Sequence, residues 1–214
     1  MNTNYRYIAI EGNIGAGKTT LCKMLEADYS CRLILEQFTD NPFLPSFYQN
    51  PERYAFPVEL FFMTERHKQL QEHFAAPDLF QNFTVSDYFF VKTLLFAQNN
   101  LKSEEFRLFQ RLFHILNATF PKPDMIVYLH RSVEDLLKNI QHRGREYEQQ
   151  ISPDYLAKIQ AAYLNYLKNV TDIPVLILYM DGIHFWEDKE DYQKIIDCIS
   201  QQYSPRVYHL DLFG

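Results

Sequence analysis

Gly12, Gly15 and Gly17 lead into Lys18-Thr19, a spacing that fits the phosphate-binding pattern G-x-x-x-x-G-K-[ST] at every fixed position. Residues without a Cβ let successive backbone N–H groups turn toward one chain of phosphates. A helix starting at this point would add unpartnered N–H groups and the positive end of its dipole. Lys18 is then the group for the outer phosphates, and the Thr19 hydroxyl is a ligand for Mg²⁺. The run Gly12, Asn13, Ile14, Gly15, Ala16, Gly17, Lys18, Thr19 and Thr20 is the candidate nucleotide-binding loop.

Three carboxylates stand where a parallel sheet would present them. Glu11 precedes the loop, Glu36 closes Leu33-Ile34-Leu35, and Asp87 follows Phe83-Thr84-Val85-Ser86. An acid after a third strand is placed to orient Mg²⁺ or its waters, and one after a second strand faces a cleft for an acceptor hydroxyl. The competing reading for each is a solvated strand end, and it is the favoured one for Glu11. Arg143-Gly144-Arg145-Glu146-Tyr147-Glu148 puts two arginines on a glycine-containing segment. It suits a lid, about residues 143–152, whose guanidinium groups meet the charge of a transferring phosphoryl group and exclude water. The alternative is a solvated helix end, because basic residues favour helix C-termini.

The elements that must hold these groups read as strands alternating with helices. Strands are expected at 5–11, 32–38, 83–86, 125–130 and 174–180. Helices are expected at 18–30, 53–74, 88–100, 104–120, 133–143, 153–169 and 188–203, with Pro57 kinking or beginning the second. Prolines 42, 45 and 51 mark a loop, residues 75–78 a break, and the chain past 203 a tail. Near-continuous apolar strands between helices imply an α/β fold: a five-stranded parallel sheet covered on both faces, with ligands at the C-terminal strand ends.

At 214 residues a single domain, 1–214, is expected. A net charge of −6 argues against a nucleic-acid polymer or an anionic membrane as partner, so any phosphate site is built locally. Cys22, Cys31 and Cys198 have no C-x-x-C spacing, which points to a reducing compartment and no zinc. No basic-apolar leader and no apolar run of about 18 residues is present, so a cytoplasmic location is expected.

Three motifs in order carry a resemblance. Gly-Asn-Ile-Gly-Ala-Gly-Lys is one; Tyr48-Gln49-Asn50-Pro51-Glu52-Arg53-Tyr54-Ala55-Phe56 matches Y-x-x-P-E-R-[WY]-x-F; and Arg143-Gly144-Arg145 is followed by Glu148-Gln149, Ile151 and Tyr155-Leu156. From about residue 5 to 180 the chain resembles the deoxynucleoside kinases, with the bacterial deoxyadenosine kinases most alike. The resemblance implies a P-loop kinase with ATP as donor and Mg²⁺. It makes Glu36 the base for the nucleoside 5′-hydroxyl. It puts Tyr48 and Glu148 on the 3′-hydroxyl, Phe96 against the base, and Arg143 and Arg145 on the phosphates. It also implies that residues 181–186 pack over the adenine of ATP. A homodimer through helices is implied too; the Leu108-Phe109, Leu112-Phe113, Ile115-Leu116 pattern suits such a face or an internal core equally.

Two departures matter. The family's acid-Arg-Ser triplet is Asp87-Tyr88-Phe89 here, so Asp87 keeps the acid while Lys92 or Arg66 must supply the positive charge. Glu59 stands where the family offers a glutamine to the nucleobase, with Arg66 and Lys92 expected to balance its charge. An ionised Glu only accepts hydrogen bonds, which suits a purine edge and not thymine. The expectation is ATP-dependent 5′-phosphorylation of a purine deoxynucleoside in nucleotide salvage, deoxyadenosine before deoxyguanosine. The rivals are a nucleoside monophosphate kinase such as a thymidylate kinase, and a non-catalytic nucleotide-binding regulator.

Overall fold

The strand that leads into the glycine loop, β1 (Tyr7–Gly12), is buried along its whole length. Ile8 and Ile10 join one apolar cluster with Val127 and Leu129, while Ala9 joins another with Ile126 and Tyr128. Alternate residues thus bury opposite faces, as a strand covered by helices on both sides must. The computed structural model describes residues 4–36, 41–75 and 81–213. Five more strands follow: β2 (Cys31–Ile34), β3 (Phe83–Ser86), β4 (Met125–His130), β5 (Val175–Tyr179) and β6 (Val207–Leu210). They form one parallel sheet in the order β2-β3-β1-β4-β5-β6. The sheet therefore has six strands, not the five expected. β6 lies in the segment read as a tail. It is a half-exposed edge strand pairing only with β5, so its four residues carry little apolar signal. The end of the expected second strand, 37–38, and most of the break at 75–78 lie outside the described residues.

The helices are α1 (Lys18–Asp28), α2 (Leu44–Gln49), α3 (Pro51–Phe74), α4 (Lys92–Asn100), α5 (Ser103–Asn117), α6 (Val133–Arg143), α7 (Pro153–Leu167) and α8 (Lys189–Ile199). α1, α6 and α8 cover one face through Leu21, Leu25, Leu136, Ile140, Ile195 and Ile199. α4 and α7 cover the other through Leu95, Ile159, Tyr163 and Leu167. α3 and α5 pack outside α4 around Met63, Leu70, Phe109 and Phe113. α2 occupies the stretch expected as a proline loop. Pro45 and Pro51 sit in the first turns of α2 and α3, where no backbone N–H is required. α3 runs through Pro57 without ending. Ser132 and Ser152 cap α6 and α7 by accepting from Asp135 N and Tyr155 N. On α5, Phe109 and Phe113 are core residues while Leu108 and Ile115 are exposed. Among the described residues no helix is long and apolar enough to cross a membrane.

Candidate active site

The glycine loop turns at the C-terminal end of β1 and enters α1 at Lys18. Gly15 adopts φ 83°, and a Cβ there would meet Leu136 O at 2.8 Å and Ile140 Cγ1 at 3.0 Å. A side chain would thus be strained twice over, by its backbone angle and by α6 behind it. Asn13 anchors the loop from within: its Nδ2 donates to Leu156 O at 2.8 Å, and its Oδ1 accepts from Ile14 N at 2.9 Å. Asn139 Nδ2 on α6 donates to Gly15 O at 2.9 Å. Lys18 Nζ donates to Asn13 O at 2.8 Å. Burial and the nearby Lys92 lower the Lys18 ammonium to about 8, against the pull of Glu11, Asp87 and Glu36.

Two clefts meet at this loop. One, of about 1070 Å³, runs past Gly15, Gly17, Thr20, Asn139, His142 and Trp186. The other, of about 730 Å³, runs inward between α3, α4, α7 and the lid segment. Gly15, Lys18, Thr19, Arg143 and Arg145 line both. Glu36, Tyr48, Glu59, Arg66, Asp87, Lys92, Phe96 and Glu148 all line the inner cleft. The side chains singled out in the sequence around an acceptor are thus gathered on one wall-to-wall cavity.

Asp87 ties β3 to the loop and to β2. Its Oδ2 accepts from Thr19 Oγ1 at 2.5 Å and its Oδ1 from Glu36 N at 2.7 Å. A hydroxyl and a carboxylate meeting beside Lys18 fit a hard cation that takes few protein ligands and fills its shell with phosphate oxygens and water. No cluster of three His, Cys, Asp or Glu side chains competes for a metal among the described residues.

Arg66 and Lys92 do not sit on Glu59, as their spacing suggested. Both pair with Glu36: Arg66 through Nε at 2.7 Å and through Nη2, and Lys92 Nζ at 2.5 Å. The reason is tertiary. α4 packs against α3, which sets Lys92 and Thr93 at its start beside Arg66, and the Arg66 guanidinium spans from Glu36, just past β2, to Thr93 Oγ1 at 2.8 Å. Burial alone would raise Glu36, but Arg66 and then Lys92 outweigh it and hold the carboxyl down at about 2. Glu59 instead accepts from Asn100 Nδ2 at 2.6 Å, and its Oε2 is buried with no partner among the described residues. Burial raises it to about 7, eased by the Asn100 hydrogen bond and by Arg66.

The segment expected as a lid begins where Gly144, at φ 70°, ends α6; a 3₁₀ turn, Glu146–Gln150, follows. Glu148 takes hydrogen bonds from Arg143 and from Arg145, the latter at 3.1 Å. The Tyr48 ring stacks on Tyr147 with centroids 6.4 Å apart. Phe96 meets Tyr163 edge-on at 6.3 Å, with Lys92 Nζ 5.5 Å from its ring centre. Glu11 is not a solvated strand end. It is buried, accepting from Phe89 N and Tyr163 OH at 2.8 Å each, because α7 and the turn after β3 close over it.

Sequence reasoning passed over Asn100 and Arg131 and quoted Tyr155 only as part of a motif, without a role. Asn100 and Tyr155 line the inner cleft beside Glu59. Arg131, fully buried, bonds Asp135 and donates to Met180 O and Ile183 O at 2.5 Å each, with a longer contact to Ala16 O at 3.3 Å. It thereby joins the glycine loop to residues 180–183. A basic residue directly after an apolar strand was the one signal it offered. His184, beside that segment, is exposed and edge-on to Trp186 at 4.9 Å.

Residues 8–203 match the family model described as "Deoxynucleoside kinase". The chain belongs to the deoxynucleoside kinase family. It is accordingly a phosphotransferase of the deoxynucleoside kinase type, a family that uses a nucleotide as phosphate donor and acts on small deoxynucleosides. The chain is 34% identical over 196 residues to a deoxyguanosine kinase of Bacillus subtilis (strain 168), covering 88% of this chain and 93% of that one. It is 30% identical over 200 residues to a deoxyadenosine/deoxycytidine kinase of the same organism, covering 90% and 91%. Its fold matches the structure of deoxyadenosine kinase from M. mycoides with bound dATP at a TM-score of 0.76, covering 92% and 100% at 21% identity.

Proposed function

We propose that this deoxynucleoside kinase transfers the γ-phosphate of ATP to the 5′-hydroxyl of a purine deoxynucleoside. The observation that carries the reading is the junction of the two clefts at Lys18, Thr19, Arg143 and Arg145, with Glu36 tied to Thr19 through Asp87 and Glu59 lining the inner cleft. The outer cleft takes the donor, whose phosphates rest on the loop N–H groups and Lys18. Thr19 and Asp87 would hold Mg²⁺, which draws charge off the phosphates when bound. Glu36, kept ionised by Arg66 and Lys92, accepts the hydrogen bond of the 5′-hydroxyl and takes its proton as the new P–O bond forms. Those two cations also stand in for the arginine absent after Asp87.

Arg143 and Arg145 exchange Glu148 for the transferring phosphoryl group, and Glu148 then turns with Tyr48 to the sugar 3′-hydroxyl. Phe96 offers a flat face to the base. Glu59 meets the purine edge, adenine standing first in the sequence reading and guanine second. The relatives support a purine: one is named for deoxyguanosine and one for deoxyadenosine with deoxycytidine. A cytoplasmic homodimer is part of the same reading. The test is ADP release with each of the four deoxynucleosides, expected to be fastest with a purine. Fastest turnover with thymidine, or with a nucleoside monophosphate, would overturn it.

A further inference from the structure

The base end of the inner cleft holds a carboxyl group in an unusual position. Glu59 is 2% exposed, and one of its oxygens is committed to Asn100 while the other, Oε2, has no partner among the described residues. Asn100 is itself fixed, because its Nδ2 also reaches Tyr155 OH at 3.2 Å. Glu59 lines the inner cleft, and a buried polar atom without a partner is costly unless a ligand completes it. What completes it depends on whether Oε2 carries a proton. The carboxylate offers two acceptors. The acid offers a donor at Oε2 and an acceptor at Oε1.

The two purines are complementary to these two states. The guanine edge presents two donors side by side, N1–H and N2–H. The adenine edge presents a donor, N6–H, beside an acceptor, N1. We propose that the charge on Glu59 decides which purine the cleft takes: the carboxylate binds guanine and the carboxylic acid binds adenine. The proposal rests on the reading of this cleft as a purine deoxynucleoside site. In either mismatched pairing two donors or two acceptors face each other in a dry cavity, and a buried group is left unsatisfied.

The surroundings leave the proton in balance. On α3, Arg66 lies two turns from Glu59 but pairs with Glu36. At the end of β2, Glu36 opposes ionisation of Glu59, and on α4, Lys92 favours it while pairing with Glu36. Tyr155 on α7 is raised by burial and by Glu59 and stays neutral. Tyr48 on α2, with Arg143, Arg145, Tyr147 and Glu148 of the lid, lines the cleft on its other side. Burial is the largest influence, and Glu59 titrates at about 7. The acid therefore prevails below that pH and the carboxylate above it.

The experiment is a competition between deoxyguanosine and deoxyadenosine with ATP across pH, read as the ratio of the two kcat/KM values. Effects on donor binding, on Lys18 and on the lid cancel in the ratio. The ratio of guanine to adenine use is expected to rise at least ~tenfold between about pH 6 and about pH 8. Glu59→Gln fixes a donor beside an acceptor, so its ratio should be flat and favour adenine throughout. A wild-type ratio that does not change with pH while both purines are phosphorylated overturns the proposal. So does a slope that survives in Glu59→Gln. Absence of phosphorylation of either purine at every pH would instead overturn the purine kinase reading beneath it.

Discussion

Glu36 and Glu59 are both buried glutamates lining the same cleft, yet the protein treats them in opposite ways. Glu36 is held by two cations and titrates at about 2; Glu59 is held by one neutral amide and titrates at about 7. The difference is one of partners and not of depth, since the two are 8% and 2% exposed. Under the proposed roles, a charge needed at every physiological pH is surrounded by countercharge, and one needed for only one kind of ligand is left to the ligand. Pairs of titratable groups pushed apart in this way mark distinct tasks within one site.

The comparison can be broken first at Glu36. Glu36→Gln is expected to lower kcat by roughly 10²–10⁴, the usual contribution of a general base, with ATP affinity nearly unchanged. Unaltered kcat would remove Glu36 from the chemistry. Next comes Arg66→Met, which leaves a buried carboxylate with only Lys92. The expected loss of unfolding free energy is about 3–5 kcal/mol at neutral pH. Glu36 has a folded value of about 2 against an ordinary 4.5, so its stabilisation is present above 4.5 and is lost as the pH falls toward 2. The gap between wild type and Arg66→Met in urea unfolding should accordingly narrow in acid; a gap independent of pH would deny the ion pair its role.

Glu59 should show the reverse sign. Its folded value is raised from 4.5 to about 7, so the native state binds the proton more tightly, and stability falls as the pH climbs between those values. Glu59→Gln should therefore be more stable than wild type at about pH 8, by roughly 1–3 kcal/mol, and nearly equal to it at about pH 4. Equal stability at both pH values would mean that Glu59 ionises freely. Smallest is Asn100→Ala, which takes away the one side-chain hydrogen bond Glu59 has among the described residues. A several-fold rise in KM for purine deoxynucleosides is expected, about 1 kcal/mol, with kcat largely kept. A fall in kcat alone would place Asn100 elsewhere in the mechanism.

How much of this was readable from the chain depends on the distance over which each feature is encoded. The glycine loop, Lys18 and Thr19 are local, so their spacing alone singles them out, and the fold sets Gly15, Lys18 and Thr19 where the two clefts meet. Glu36 and Asp87 stand out because both end apolar strands, and the sheet order then lets Asp87 Oδ1 accept from Glu36 N. The partner of Arg66 was misread because spacing along α3 favours Glu59, whereas the fold sets Glu36, just past β2, against Arg66 and Lys92. β6 was missed because an edge strand of four half-exposed residues has no continuous apolar run. Asn100 and Tyr155 could not be singled out, since they come from different helices and only the assembled cleft puts them on one acid.

Arg131 has a consequence for how the molecule holds together. A guanidinium cannot shed its charge, and this one reaches its carbonyl acceptors only when residues 180–183 lie against the glycine loop. Fraying of the segment beyond β5 would leave the guanidinium its Asp135 partner but take two of its carbonyl acceptors, in the interior where water cannot replace them. The glycine loop near the start of the chain and the segment near its end are thereby coupled through one side chain.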